Sequence, residues 1–292
     1  MNTQKKLIVL SGPTAVGKTS AAIELAKHYH TDIISTDSRQ FYREMKIGTA
    51  SPSPSELAQA THHFIGNLSI HDYYNVSLFE QQALKLLDEL FSTKEIVIAV
   101  GGSGLYIDAL CYGIDDFPDI DEKLRAGIKS CYTNEGIEYL QKEVERLDPL
   151  YFSQVDKQNP KRLQRALEVI LSTGKSYSSQ RIRQKKARNF SIEKYVLNMD
   201  REILYQRIND RVDIMINDGL VKEARELFPY RHLNALNTVG YKELFRYFEN
   251  EISLDQAIID IKTHSRRYAK RQITWFKRDK SFQWISDISK LL

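Results

Sequence analysis

The stretch Gly12-Pro13-Thr14-Ala15-Val16-Gly17-Lys18-Thr19 constrains this chain more than any other. It follows a continuous apolar run, Leu7-Ile8-Val9-Leu10, which reads as a strand buried on both faces. It precedes residues 20–29, where Ala22, Ile23, Leu25 and Ala26 recur at helical spacing. The octapeptide fits the P-loop pattern G-x-x-x-x-G-K-[ST] in the strand-to-helix setting that the pattern needs. Its glycines let the backbone curl into a nest of N–H groups at a helix N-terminus, a shape suited to phosphate oxygens. Lys18 supplies positive charge to a diphosphate, and the Thr19 hydroxyl suits a magnesium ion (Mg2+). Which phosphate compound binds is not written in the pattern.

Beyond the P-loop, strands and helices alternate. Ile33-Ile34-Ser35-Thr36 reads as a second strand ending at Asp37, Val76–Phe91 as an amphipathic helix, and residues 95–100 as a third buried strand before Gly101-Gly102-Ser103-Gly104. That order predicts an α/β fold with a parallel sheet covered on both sides, up to about Ile114. The texture then turns helical, with helices predicted over 124–128, 135–147 and 162–171 after a linker at 115–119. Residues 174–190, rich in Ser, Arg and Lys, read as a mobile basic loop that orders on binding. Tyr195-Val196-Leu197-Asn198-Met199 restores a strand pattern, and helices are predicted over 201–218, 221–228, 241–248 and 254–277. The expected organisation is a core of residues 1–114 plus 195–292, interrupted by a helical insertion, 115–194.

Composition narrows the class. With 42% hydrophobic and 27% charged residues the chain matches ordinary soluble globular proteins. No run approaches the roughly 20 apolar residues of a membrane span, and the short polar start shows no signal peptide. Two cysteines, Cys111 and Cys131, exclude a disulfide framework or a Cys-rich zinc site and fit a reducing cytoplasm. His62 and His63 have no Cys or further His at ligand spacing, so packing or hydrogen bonding is expected of them. The net charge of +4 is small, but residues 157–194 hold eleven Lys/Arg against two acids, and 262–280 hold eight against one. Two basic blocks in a near-balanced chain point to a polyanion larger than a metabolite, or to a pair of solvated helix faces.

Three further features carry chemistry. A nucleoside triphosphatase normally shows a carboxylate after a buried strand, yet the third strand ends in glycines. Asp37 instead stands at a strand end on the P-loop side of the sheet, where it can hold magnesium, accept a proton, or cap the next turn. Gly101-Gly102-Ser103-Gly104-Leu105-Tyr106 presents the Ser103 hydroxyl in a glycine-rich turn, or is a plain tight turn. Arg266, Arg267, Lys270 and Arg271 fall on one helix face, with Trp275 and Phe276 read as core.

Taken together these blocks resemble the tRNA dimethylallyltransferase family. The resemblance rests on the P-loop, on Asp37-Ser38-Arg39-Gln40 with Ile47-Gly48-Thr49-Ala50, on His62-His63-Phe64, and on Gly101 to Tyr106. It continues through Asn159-Pro160-Lys161-Arg162-Leu163-Gln164-Arg165-Ala166-Leu167-Glu168 and Val239-Gly240-Tyr241-Lys242-Glu243-Leu244. The last block is Arg266-Arg267-Tyr268-Ala269-Lys270-Arg271-Gln272-Ile273-Thr274-Trp275. The blocks cover nearly the whole chain in the family's order.

The resemblance implies a P-loop NTPase-like core whose loop holds the diphosphate of dimethylallyl pyrophosphate. It implies transfer of the dimethylallyl group to the exocyclic amine of the adenosine immediately 3′ of the anticodon. Asp37 is then the base, Ser38, Arg39 and Gln40 shape the adenine pocket, and Ser103 stands where the family usually has threonine. Arg207, in preference to Arg211 one turn on, reaches the pyrophosphate; the plain alternative pairs both with Asp210 and Asp213. Lys161, Arg162, Leu163, Gln164 and Arg165 match a segment contacting the anticodon arm of tRNA, and Arg125 a further contact. Magnesium on Thr19 is the implied cofactor, and the RNA base and the isoprenoid donor are expected to enter a channel from opposite sides. No Cys/His finger follows the last block, so a bacterial cytoplasmic enzyme is expected, monomeric by default. The rivals are an adenine-nucleotide isopentenyltransferase of the cytokinin type, a P-loop small-molecule kinase, and an RNA-binding protein whose P-loop only regulates.

Overall fold

A computed structural model of the chain describes residues 5–115, 117, 119–182 and 184–292. Parts of the expected N-terminal lead (1–4), linker (116 and 118) and basic loop (183) lie outside the described residues. The first stretch runs β1 (Lys6–Ser11), α1 (Lys18–His28), β2 (Ile33–Ser35), α2 (Pro54–Leu57), β3 (His62–His63), α3 (Val76–Phe91), β4 (Ile96–Gly101) and α4 (Gly104–Tyr112). A helical stretch follows: α5 (Glu122–Glu135), α6 (Ile137–Leu147), α7 (Pro149–Gln154), α8 (Pro160–Thr173) and α9 (Tyr177–Gln180). The chain then returns through β5 (Ser191–Leu197), α10 (Arg201–Asn217), α11 (Leu220–Leu227), α12 (Tyr241–Phe248), α13 (Leu254–Phe276) and β6 (Phe282–Ile285).

Among the described residues the strands form one sheet, ordered β3-β2-β4-β1-β5-β6, with every pairing parallel. β1 is central, paired on both sides and buried from Leu7 onward, which is why its sequence is continuously apolar. α1 packs Ala22, Ile23, Leu25 and Ala26 on this sheet. α3 begins where Asn75 accepts hydrogen bonds from the amides of Ser77 and Leu78, and it buries Phe79, Ala83, Leu87 and Phe91 along one stripe.

The chain divides into two compact units, Met1–Cys111 with Ala187–Leu292, and Tyr112–Lys186. The expected boundaries at 114 and 194 therefore move to 111 and 186. The second shift has a physical cause. Arg188, expected in a mobile loop, is buried: it pairs with Glu80 at 2.9 Å and donates to the carbonyls of Ala109 and Leu110. The same expected loop also contains α9. Composition could not show that one of its arginines meets a buried carboxylate 108 residues away.

The smaller unit has its own core of Ile128, Leu140, Val144, Tyr151, Phe152, Leu163, Ala166 and Leu167. α8 is bounded as its sequence suggests, by an Asn159 cap with Pro160 in the first turn and by Gly174 in the left-handed conformation. A third core joins Tyr42, Met45 and Ile70 to the C-terminal helices through Leu220, Leu236, Tyr241 and Leu244. Among the described residues no helix is long and apolar enough to cross a membrane.

Candidate active site

Because β2, β4 and β1 are parallel neighbours, their C-terminal ends share one edge of the sheet. Asp37 follows β2, Ser103 follows β4, and the P-loop follows β1. In the P-loop, Gly12, Ala15 and Gly17 all have positive φ. Gly12 has no room for a side chain: a Cβ there would lie 2.7 Å from the Leu197 carbonyl oxygen. The Lys18 ammonium folds back over the loop, donating to the carbonyls of Gly12 (2.9 Å) and Pro13 (2.7 Å). Burial lowers its pKa from 10.5 to about 8; Asp37 opposes that shift and Arg211 adds to it. Thr19 sits one residue into α1, and the buried Pro13 and Val16 fix the loop's inner side.

Two arginines of α10 complete a cationic cluster. The Arg207 Nη2 lies 3.8 Å from where a Cβ at Gly17 would stand. Arg211 is lowered by burial first and by Arg207 second. Their pairing with Asp210 and Asp213 does not occur: Asp210 accepts from Gln206 at 2.7 Å, and Asp213 pairs with Lys262 at 2.6 Å. Lys18, Arg207 and Arg211 thus converge without a carboxylate bonded to any of them among the described residues.

Asp37 is half-buried, and its Oδ1 accepts from the Arg39 amide at 2.9 Å. One oxygen caps the turn and the other accepts no hydrogen bond among the described residues. The Arg39 guanidinium is turned away from that carboxylate, donating to the carbonyls of Asn234, Ala235 and Asn237. Gln40 likewise donates to the carbonyls of Thr49 and Ala50. Both residues anchor the turn through their side chains, so any contact they make with a base is secondary to that anchoring.

Ser103 is tied directly to this turn. Its Oγ accepts from the Ser38 amide at 3.0 Å and lies 3.1 Å from the Ser38 hydroxyl. Tyr268 reaches it from α13; burial and the nearby Asp37 push that phenol up to about 12, while its hydrogen bond with Ser103 opposes the shift. One turn further along α13, buried Gln272 accepts from the Thr14 amide (2.9 Å) and donates to the Gly102 carbonyl (3.0 Å). One amide therefore clasps the P-loop to the Ser103 turn. Gln272 and Tyr268 were given no role by sequence reasoning, although they stand in a quoted block. The usable signal was their spacing with Trp275, at i, i+4 and i+7, on the side of α13 away from Arg266 and Lys270.

The glycines of the turn are required by contact. A Cβ on Gly101 would lie 2.2 Å from Thr36 Oγ1 and 2.8 Å from the Thr36 carbonyl carbon, and one on Gly104 would lie 2.2 Å from the Trp275 ring. Backbone cannot retreat as a flexible side-chain tip can. Gly101→Ala is therefore expected to cost about 1–3 kcal/mol of stability through overpacking, read by denaturant unfolding. Trp275 itself donates to Asp108 at 3.1 Å under the Arg278 guanidinium, and Phe276 is fully buried. His63 bonds Asp32 and His62 bonds the Ala60 carbonyl, hydrogen-bonding roles in both cases.

Of the residues predicted in the insertion, Lys161 and Arg162 are exposed on the first turn of α8, with Gln164 half-buried beside them. Arg125 and Arg165 both reach Glu168, at 3.5 and 3.4 Å, which holds the two guanidinium groups near each other. Leu163 needs correcting as a contact residue. Its side chain is fully buried in the core of that unit, so only its backbone can face a ligand.

Comparison with known proteins gives concordant matches. The IPP transferase family model matches residues 40–279. The tRNA dimethylallyltransferase of Christiangramia forsetii is 52% identical over 279 residues, covering 96% of this chain and 92% of its own. The crystal structure of the full-length tRNA isopentenylpyrophosphate transferase from Bacillus halodurans is similar at TM-score 0.70 and 34% identity, covering 97% of this chain and 90% of that one. That of a eukaryotic dimethylallyltransferase acting on tRNA is similar at TM-score 0.77 and 25% identity, covering 98% and 75%.

Proposed function

The chain belongs to the IPP transferase family, and from that premise we propose that it transfers the dimethylallyl group of dimethylallyl pyrophosphate to tRNA. The acceptor is the exocyclic amine of the adenosine immediately 3′ of the anticodon. The observation that carries this reading is the pairing, at one sheet edge, of a cationic diphosphate cradle with a carboxylate that keeps one oxygen free.

The chemistry follows from charge. As the allylic C–O bond breaks, its electron pair leaves on the pyrophosphate and positive charge builds on the dimethylallyl carbon. The amides of the P-loop nest, Lys18, Arg207 and Arg211 stabilise the negative charge that gathers on the leaving pyrophosphate. The adenine amine is a weak nucleophile because its lone pair is delocalised, so it gains from losing its proton as the new C–N bond forms. Asp37, with one carboxylate oxygen accepting no hydrogen bond among the described residues, takes that proton. Ser103, held by Ser38 and Tyr268, offers a fixed hydroxyl beside the reacting atoms.

The residues present suit magnesium. Among the described residues no three of His, Cys, Asp and Glu gather into a protein cage. A site of one hydroxyl, Thr19, completed by diphosphate and water oxygens is the coordination that magnesium accepts. Bound there, the ion would add charge neutralisation at the leaving group.

A stacked base must leave the anticodon loop to be modified, at a cost of a few kcal/mol that other RNA contacts must offset. Lys161 and Arg162 are our candidates for phosphate contacts. Replacing both with Ala is expected to raise the KM for tRNA and reduce the slope of log K against log salt by about one per lost contact. The kcat at saturating tRNA should stay unchanged. The function itself is tested with radiolabelled dimethylallyl pyrophosphate, magnesium and either unmodified tRNA or AMP. Label in tRNA supports the reading; label only in AMP assigns a cytokinin-type acceptor, and ATP turnover without label assigns a kinase.

A further inference from the structure

Two sequence blocks remain without a role in the chemistry above, Ile47-Gly48-Thr49-Ala50 and Val239 to Leu244. They meet at a single carboxylate. Glu223, on α11, receives four hydrogen bonds: Oε2 accepts from the amides of Lys46 and Ile47, both at 2.9 Å, and Oε1 from the Gly48 amide (2.9 Å) and the Tyr241 hydroxyl (2.7 Å). Tyr241 is fully buried, and its ring lies so close that a Cβ at Gly48 would stand 2.6 Å from it. Burial first, and Glu223 second, push that phenol far above its ordinary range, so it stays a donor.

The loop held in this way is the one that holds the catalytic turn. Thr49 and Ala50 present their carbonyls to Gln40, three residues from Asp37, and Gln40 also bonds the Ser35 hydroxyl at 3.3 Å. Arg39 ties the same turn to residues 234–237, just before the segment that carries Tyr241. Asp37 thus stands in a turn braced at Arg39 and at Gln40, and the brace through Gln40 ends on Glu223.

We propose that Glu223 is a positioning residue of the transfer reaction: its carboxylate fixes the 46–50 loop, and through Gln40 fixes where the Asp37 carboxylate meets the acceptor amine. This rests on the proposed function, because the turn has a reaction to position only if Asp37 is the base. Among the described residues Glu223 makes no hydrogen bond or ion pair with the P-loop, so donor binding should be spared.

The test is Glu223→Gln, which keeps the shape but offers an acceptor on one side only, leaving two of the four donors facing an NH2. The expected result is a kcat for tRNA prenylation lowered by about tenfold or more, since misplacement of a reacting group by about 1 Å can cost a hundredfold. The KM for dimethylallyl pyrophosphate should stay within about twofold, and the amides of Lys46, Ile47 and Gly48 should exchange hydrogen faster. Tyr241→Phe removes one donor of four and should show the same split with a smaller, roughly two- to fivefold loss. Wild-type kcat in Glu223→Gln overturns the proposal, as does a rise in donor KM that accounts for the whole loss. Should Glu223→Gln not fold, wild-type kcat in Tyr241→Phe overturns it instead. A wild-type chain that labels no tRNA overturns the function reading, whereas unchanged amide exchange in the variants overturns the brace; the two failures are separate.

Discussion

Asp37→Ala is expected to lower the rate of dimethylallyl transfer by about 10²–10⁴-fold, the range a positioned general base supplies, with RNA affinity within a few-fold of wild type. The expectation follows from where the carboxylate sits. It is half-buried at the end of β2, with Oδ1 engaged by the Arg39 amide. Truncation removes the proton acceptor, whereas the turn keeps its anchors at Arg39, Gln40 and Ser38. Asp37→Asn separates charge from shape further, since it retains an acceptor for the Arg39 amide and cannot take the proton. Single-turnover transfer beside filter binding of tRNA reads both quantities. Binding lost in step with rate would remove Asp37 from the chemistry and leave it a structural cap.

Lys18→Ala is the second large effect, a fall of about 10²–10³-fold in kcat/KM for the donor, comparable to removing one donor to a developing oxyanion. Here the pH dependence is as informative as the size. In the folded chain the Lys18 pKa is lowered from 10.5 to about 8 by burial. A diphosphate binds the ammonium, so affinity for pyrophosphate should be level below about pH 8 and weaken above it, by at most tenfold per pH unit. Stability moves the opposite way. Between about pH 8 and 10.5 the unfolded chain holds the Lys18 proton and the folded chain does not, so the ligand-free protein gains stability from this group as pH rises. Lys18→Met should erase both breaks. Titration calorimetry with pyrophosphate across pH 7–10 reads the first, and denaturant unfolding reads the second.

The parts of this molecule that sequence makes legible are those where one residue type serves one local demand. β1 is continuously apolar because it is buried and paired on both sides, and the P-loop sits where its glycines must take positive φ. The Asn159-Pro160 start of α8 and the Gly174 stop are likewise local. The edge strands were not legible: β3 has two residues, and β6 has four with an irregular burial pattern, too short for any periodicity. β5 begins at Ser191 and not at Tyr195, because Ser191, Glu193 and Lys194 interrupt the apolar signal while their backbone already pairs with β1. Leu163 was misplaced because a block matched as a block does not say which of its members turns inward. Its spacing with Ala166, Leu167 and Ile170 shows that stripe.

The least legible features are those made by residues far apart in the chain. Gln272 joins Thr14 to Gly102, and Glu223 joins Lys46 to Tyr241. In each case a polar side chain is spent on backbone amides or carbonyls, and nothing in its own neighbourhood signals the partner. Gly48 and Tyr241 lie in separate recognisable blocks, yet only the fold shows that the missing Cβ of one makes room for the ring of the other.

The most direct measurement is the position of the transferred group. The chain is incubated with labelled dimethylallyl pyrophosphate, magnesium and a tRNA bearing adenosine immediately 3′ of its anticodon, then the RNA is digested and the label mapped. The expected result is about one dimethylallyl group per tRNA, on the exocyclic amine of that adenosine, with none when the position is changed to guanosine. Label elsewhere on the RNA, label that survives the change, or no label in tRNA at all would contradict the function proposed for this fold.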